Sequence, residues 1–300
     1  MSKLKPWLSA IRLRTLPLSI SGIIIGTCFA HYNGFFNISI LILAILTTIS
    51  FQILSNLAND YGDGIKGTDN DDRIGPKRAI QSGAITPDQM FEAIKINILA
   101  IILFVFLLIY TAFGKGYFLY TLLYIGLAGF SVYAAMRYTM GNSAYGYKGL
   151  GDLFVFIFFG FVSVVGSYFL YTKHLDHHVI LPAITIGLLS VGVLNLNNMR
   201  DIDSDQKSGK ITLAVKLGKK KAKVYHLFLI IAAMVISFLF MLLYYSSVFN
   251  LLALLAYILL FLHIKSIISA EKPSDFDPQL KFLALTTFAF SLLLGIGYIL

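Results

Sequence analysis

The sequence predicts an all-α, polytopic membrane protein with nine transmembrane helices. Of its 300 residues 57% are hydrophobic and 13% charged, against about 45–50% and 25% in soluble domains. The mean hydropathy is +0.78. The apolar residues also fall into runs close to the roughly 20 residues a helix needs to cross a bilayer. Residues 1–300 therefore read as a single integral-membrane domain, and its chemistry must come from short loops.

The chain opens on Lys3, Lys5, Trp7, Ile11, Arg12 and Arg14, an alternation of basic and apolar groups carrying the only tryptophan. Such a segment lies in the membrane interface. Spans are expected at residues 16–32, 38–59, 93–113, 117–137, 150–171, 180–199, 224–245, 251–268 and 282–300, each bounded by charge or by Gly and Asn turns. The first holds Cys28, the single cysteine, which excludes an intrachain disulfide framework and a Cys-rich metal site. Thr27 spoils a lipoprotein-type cleavage box and no small-residue cleavage site follows, so this run is read as retained. Gly146, Gly149 and Gly151 lack the preceding strand of a dinucleotide fingerprint and read as a tight entry into the fifth span.

The net charge is +9. Basic loops that anchor a membrane protein explain it better than nucleic-acid binding, which needs a basic face on a water-exposed fold. An odd number of spans puts the termini on opposite sides. With the N-terminus cytoplasmic and the C-terminus outside, all but Lys115 and Lys173 of the 24 Lys and Arg fall on the cytoplasmic side, as the positive-inside rule requires. The two longest loops, 60–92 and 201–223, then both face the cytoplasm. The lysines Lys219, Lys220, Lys221 and Lys223 read as an anchor on anionic lipid. The outer loop with His174, His177 and His178 lies on the opposite side.

Those two loops hold most of the acid. The first begins with Asn56-Leu-Ala-Asn59-Asp60-Tyr61-Gly62-Asp63 and runs on through Asp69, Asp71 and Asp72 to Arg73, Lys77 and Arg78; the second is Asn195-Leu-Asn197-Asn198-Met199-Arg200-Asp201-Ile202-Asp203-Ser204-Asp205. Residues three and four apart share a helix face. Asn56, Asp60 and Asp63 thus align on one side of the second span, and Asn197, Asp201 and Asp205 on one side of the sixth. Asp203 points away, roughly 200° around the helix from Asp201. The recurrence about 140 residues later suggests two related halves facing one site. Converging carboxylates repel unless a cation offsets them, and hard oxygen donors that leave positions for phosphate select Mg²⁺ or Ca²⁺. Arg73, Lys77, Arg78, Arg200 and Lys148 stand near as phosphate partners, which makes a diphosphate site.

Several phrases, in order, resemble a known family: Arg14-Thr-Leu-Pro17, Asn59-Asp-Tyr-Gly-Asp63, Lys66-Gly-Thr-Asp69, Arg73-Ile-Gly-Pro76, Gln81-Ser-Gly83, Gly149-Leu-Gly-Asp152, Asn197-Asn-Met-Arg-Asp-Ile-Asp-Ser-Asp205, Gly209-Lys and Thr212-Leu-Ala-Val-Lys-Leu-Gly218. They are similar to the UbiA superfamily of intramembrane aromatic prenyltransferases, in particular its MenA branch. The chain departs from many relatives at Gly67, where they carry an Asp, and Asp69 is the candidate substitute. The resemblance implies that the nine helices form a bundle around a central cavity, capped by cytoplasmic loops and open sideways to lipid. It also implies a Mg²⁺-dependent transfer from a polyprenyl diphosphate to 1,4-dihydroxy-2-naphthoate, with loss of CO2 and diphosphate, to give demethylmenaquinone. The implied metal set is Asp60, Asp63, Asp201 and Asp205 with Asn56 and Asn197. Arg78, Lys148, Arg14 and Arg137 are the implied diphosphate contacts, and Tyr61 and Tyr147 are candidates for the aromatic acceptor. The expected setting is the bacterial cytoplasmic (inner) membrane, with membrane lipid as surroundings, the site facing the cytoplasm, and no protein partner inferable. A different acceptor, 4-hydroxybenzoate or homogentisate, is the alternative within this class. A divalent-cation transporter is the alternative outside it, although the middles of all nine spans lack Asp and Glu, where transport sites usually place them.

Overall fold

The computed structural model describes residues 4–70 and 74–300; Lys3, Asp71, Asp72 and Arg73 lie outside these. Among the described residues there is no strand, and nine helical segments are long and apolar enough to cross a membrane. The expected fold class and span number are both found.

Helix α1 (Leu4–Ile11) carries Trp7 and ends at Arg12, which adopts a left-handed backbone (φ 56°) before a 3₁₀ turn leads into α2 (Leu16–Tyr32). A non-glycine residue held there persists only where its surroundings fix it. Here the Arg12 guanidinium is held by the Asp60 carboxylate. The next spans are α3 (Ile38–Ile65), α4 (Pro87–Phe113) and α5 (Phe118–Arg137). The fifth is composite: α6 (Gly151–Val155), a π-helical stretch Phe156–Gly166 and α7 (Ser167–Thr172). After it come α8 (Ile180–Arg200), the short α9 (Ile202–Lys207), α10 (Leu213–Leu243), α11 (Leu254–Ser269) and α12 (Phe276–Ile299).

Three boundaries differ from the hydropathy reading. Helix α3 runs to Ile65, beyond residue 59, so Asp60 and Asp63 belong to its last turns instead of a loop. Helix α4 starts at Pro87 because Thr86 and Gln89 form a reciprocal cap, Thr86 Oγ1 accepting from the Gln89 N–H at 3.2 Å and Gln89 Oε1 from the Thr86 N–H at 3.0 Å. Most of the expected 201–223 loop is helical, since α9 fills its start and Thr212 caps α10 through the Val215 N–H at 3.3 Å. A break at Gly218 (φ 73°) then lets α10 change direction.

Helix α8 is the axis of the bundle, largely buried and packed on α10, the π-helical stretch and α12. Close approach relies on small residues. A Cβ at Gly26 would lie 2.5 Å from the Val164 carbonyl, and one at Gly160 would lie 2.6 Å from that of Ala183. At the periphery, α5 buries only Ala134, while α4 turns Ile96, Leu99, Leu103 and Phe106 outward. Apolar groups facing out are what a lipid-embedded helix presents. This arrangement brings the C-terminal ends of α3 and α8 together over an internal cavity.

Candidate active site

The cavity has a volume of about 380 Å³ and is bounded by α2, α3, α4, α5, the fifth span, α8 and the start of α12. One end is ionic: Asp63, Asp69, Asp201, Asp205, Lys210, Arg12, Arg14 and Arg78 line it, with Asn56 and Asn197 among them. The remaining wall is mainly apolar and includes Leu108, Ile109, Phe158, Phe159, Val162 and Leu170. The two acidic sequence clusters therefore do face a common space.

Lys210 joins them. Its ammonium donates to Asp63 Oδ2 at 2.9 Å and stands 4.0 Å from Asp205 Oδ1. Burial opposes the Lys210 charge, but Asp63 and Asp205 outweigh it and hold the group above the usual lysine range. The other Asp63 oxygen accepts from the Tyr147 hydroxyl at 2.8 Å, and Thr68 Oγ1 shares a 2.6 Å hydrogen bond with that hydroxyl. Burial and the Asp63 charge push the Tyr147 phenol up, so it remains a neutral donor. Lys66, an exposed residue, stands over the Tyr147 ring, 4.1 Å from its centre, a cation–π contact worth about 0.5–1 kcal/mol at such a site.

The second cluster is braced by Arg200, whose Nε and Nη2 donate to the two Asp201 oxygens at 2.9 and 2.6 Å. Nη2 also donates to Asn197 Oδ1 at 2.9 Å, and Nη1 to Asp277. Arg200 is 1% exposed and does not line the cavity. It is thus a structural cation, correcting its reading as a phosphate partner. The helix itself breaks at Asp201, which separates α8 from α9. The Asp205 N–H still bonds the Asp201 carbonyl at 2.8 Å, which preserves the one-turn spacing. Asp203 points outward to Lys219 at 2.7 Å, as its helical phase requires.

The other expected residues divide. Asp60 is 1% exposed and borders a smaller adjoining groove with Arg12, Arg14, Lys77 and Arg78. Its Oδ1 holds Arg12 and lies 3.6 Å from Arg78 Nε, so the carboxylate is already committed to two guanidinium groups, and it does not line the main cavity. Arg78 also reaches within 4.0 Å of Asp69, and Arg14 lies 3.9 Å from Asp277. Asn56 is anchored by its amide on the Ile11 carbonyl at 2.7 Å. Lys148 and Arg137 do not line the cavity; Lys148 is exposed. Tyr61 also falls outside, packed on Phe91 with ring centres 5.4 Å apart, because the residue after Asp60 is turned about 100° around the helix. Tyr147 contacts Asp63 but is not part of the cavity wall; Tyr138 and Tyr145 are. Lys210 and Arg12 escaped sequence reading because Lys210 looks like one more basic residue of its loop and Arg12 like one more basic residue of the interfacial segment. Asp176, His177 and His178 bring their ligand atoms within 4.8 Å of one another, before α8 begins and so at its opposite end from Asp201.

A hard divalent cation fits the ionic end. Its possible donors there are carboxylate and amide oxygens, the chemistry Mg²⁺ prefers, and the lining Arg and Lys leave anion-binding groups beside them.

Comparison with known proteins places these features. Residues 19–298 match the model of the UbiA prenyltransferase family. The chain is 42% identical to 1,4-dihydroxy-2-naphthoate octaprenyltransferase of Escherichia coli (strain K12), covering 94% of this chain and 91% of that one. It is 40% identical to the protein of that name from Haemophilus influenzae, covering 98% and 96%. Among solved structures, the apo form of a UbiA homolog from Aeropyrum pernix K1 superimposes with a TM-score of 0.69 at 17% identity, over 95% of this chain and 97% of that one. A UbiA homolog from Archaeoglobus fulgidus bound to GPP and Mg²⁺ gives 0.64 at 13% identity, over 97% and 99%.

Proposed function

Because the chain belongs to the UbiA prenyltransferase family, we propose that it transfers a polyprenyl group from its diphosphate to 1,4-dihydroxy-2-naphthoate, releasing diphosphate and CO2 to give demethylmenaquinone for menaquinone synthesis. The observation that carries this reading is the junction of two acidic clusters and a set of Arg and Lys at one end of an otherwise apolar cavity. That arrangement suits a substrate with an anionic head and a hydrocarbon tail.

In this reading Asp63, Asp201 and Asp205, with Asn56, Asn197 and Asp69, would hold Mg²⁺. Mg²⁺ there would neutralise charge growing on the leaving diphosphate. Arg12, Arg14 and Arg78 supply fixed positive charge on the same side, and Asp60 orients Arg12 and Arg78 through its contacts with both. Tyr147 and Lys210 fix the Asp63 carboxylate from two directions, so its geometry is set before substrate arrives. The apolar wall keeps water from the allylic cation until the electron-rich ring attacks it. The basic residues gathered on the site's side support a site that faces the cytoplasm, and the bacterial relatives support an inner-membrane setting.

The test offers purified protein a polyprenyl diphosphate with equal amounts of 1,4-dihydroxy-2-naphthoate, 4-hydroxybenzoate and homogentisate and identifies products by mass spectrometry. The expected product is the prenylated, decarboxylated naphthoquinol. Prenylation of hydroxybenzoate alone would overturn the acceptor assignment.

A further inference from the structure

The spans bury many hydroxyls, and most follow one rule. Ser21, Ser50, Thr185, Ser237, Thr287 and Ser291 each donate to the carbonyl one turn back, at 2.7–3.0 Å, the usual way a helix satisfies a hydroxyl away from water. Thr47, Ser163 and Ser190 break it. They are 6%, 9% and 1% exposed, and their hydroxyls have no hydrogen-bond partner among the described residues. All three line the cavity beneath the carboxylates. A buried hydroxyl left unpaired is unfavourable, so its recurrence at three points of one chamber, on α3, the π-helical stretch and α8, marks groups kept for a ligand.

The ligand's chemistry follows from what else enters the chamber. A polyprenyl tail carries no hydrogen-bonding atom and gains nothing from a hydroxyl. The aromatic acceptor carries two ring hydroxyls and a carboxylate. Ser190 lies seven residues before Asn197 on α8, about 10 Å along the helix. That depth has room for the diphosphate and then the reacting ring, which carries the carboxylate and both hydroxyls, so a ring held just below the diphosphate can turn a hydroxyl toward Ser190. Ser163 stands against α2, its Oγ 2.0 Å from where a Cβ on Gly22 would be, so any side chain at position 22 would crowd the hydroxyl. Resting on the prenyltransferase reading above, we propose that Ser190, Ser163 and Thr47 form the acceptor subsite and hydrogen-bond the polar groups of a hydroxylated aromatic acid.

The test uses full-length Ser190→Ala, Ser163→Ala and Thr47→Val proteins. Direct binding of 1,4-dihydroxy-2-naphthoate is compared with that of 2-naphthoate, which lacks the hydroxyls, and KM is measured separately for acceptor and prenyl diphosphate. The wild type is expected to prefer the dihydroxy acid. Each substitution is expected to reduce that preference about 5- to 10-fold and to raise the acceptor KM similarly, while the prenyl diphosphate KM stays within about twofold; that unchanged KM also reports intact folding. Unchanged acceptor preference in all three variants overturns the subsite, as does a matching rise in the prenyl diphosphate KM. If the wild type instead prenylates a different hydroxylated acid, the naphthoate assignment falls, yet the subsite stands if the variants raise that acid's KM and falls if they do not.

Discussion

Asp63→Asn is expected to lower turnover on the order of 10²–10³-fold with the protein still folded. The amide matches the carboxylate in shape and keeps an oxygen for the Tyr147 hydroxyl, whose 2.8 Å hydrogen bond fixes the side chain. What it loses is charge, and with it the strong donor to a cation and the ion pair with Lys210 at 2.9 Å. Lys210 retains Asp205 as a neighbour at 4.0 Å, so the loop between α9 and α10 keeps a tether. Single-turnover product formation, measured beside the thermal unfolding midpoint in detergent, separates loss of chemistry from loss of structure. Turnover within a few-fold of wild type would remove Asp63 from the site.

Arg200→Met is expected to act the other way, on stability first. The guanidinium is 1% exposed and serves Asp201 through two hydrogen bonds, Asn197 through one and Asp277 through another. Removing it deletes one side of the buried pair with Asp201, a change that costs about 3–5 kcal/mol. The connection of α8 to α12 would weaken with it. Arg200→Lys cannot reproduce the fork onto both Asp201 oxygens and is expected to fall between wild type and Arg200→Met. Unfolding midpoints of the three proteins provide the measurement; equal midpoints would contradict the bracing role.

Much of this was legible in the residues. Long uncharged runs marked the nine spans because a bilayer accepts no other backbone arrangement short of a closed barrel, and helical phase put Asn56, Asp63, Asn197, Asp201 and Asp205 on a common cavity. Phase also turned Asp203 away correctly. What failed to show was pairing over distance. Lys210 finds Asp63 across 147 residues, and neither neighbourhood distinguishes that lysine from the six others between residues 207 and 223. Arg200 looked available for phosphate because sequence cannot reveal that Asp277 comes to meet it from α12. The family resemblance implies Lys148 and Arg137 as diphosphate contacts, yet neither lines the cavity, because the side on which a span end projects is decided by packing. Caps misled in a smaller way, since Thr86 and Thr212 extend helices into segments whose polarity reads as loop.

The central claim is that both acidic clusters build one metal–diphosphate site. The most direct measurement is Mn²⁺ binding in the presence of inorganic pyrophosphate, followed by electron paramagnetic resonance, for wild type, Asp63→Asn and Asp205→Asn. One shared site predicts pyrophosphate-dependent Mn²⁺ binding by the wild type and its loss when either cluster alone is altered. Wild-type binding that survives intact in either variant would contradict it.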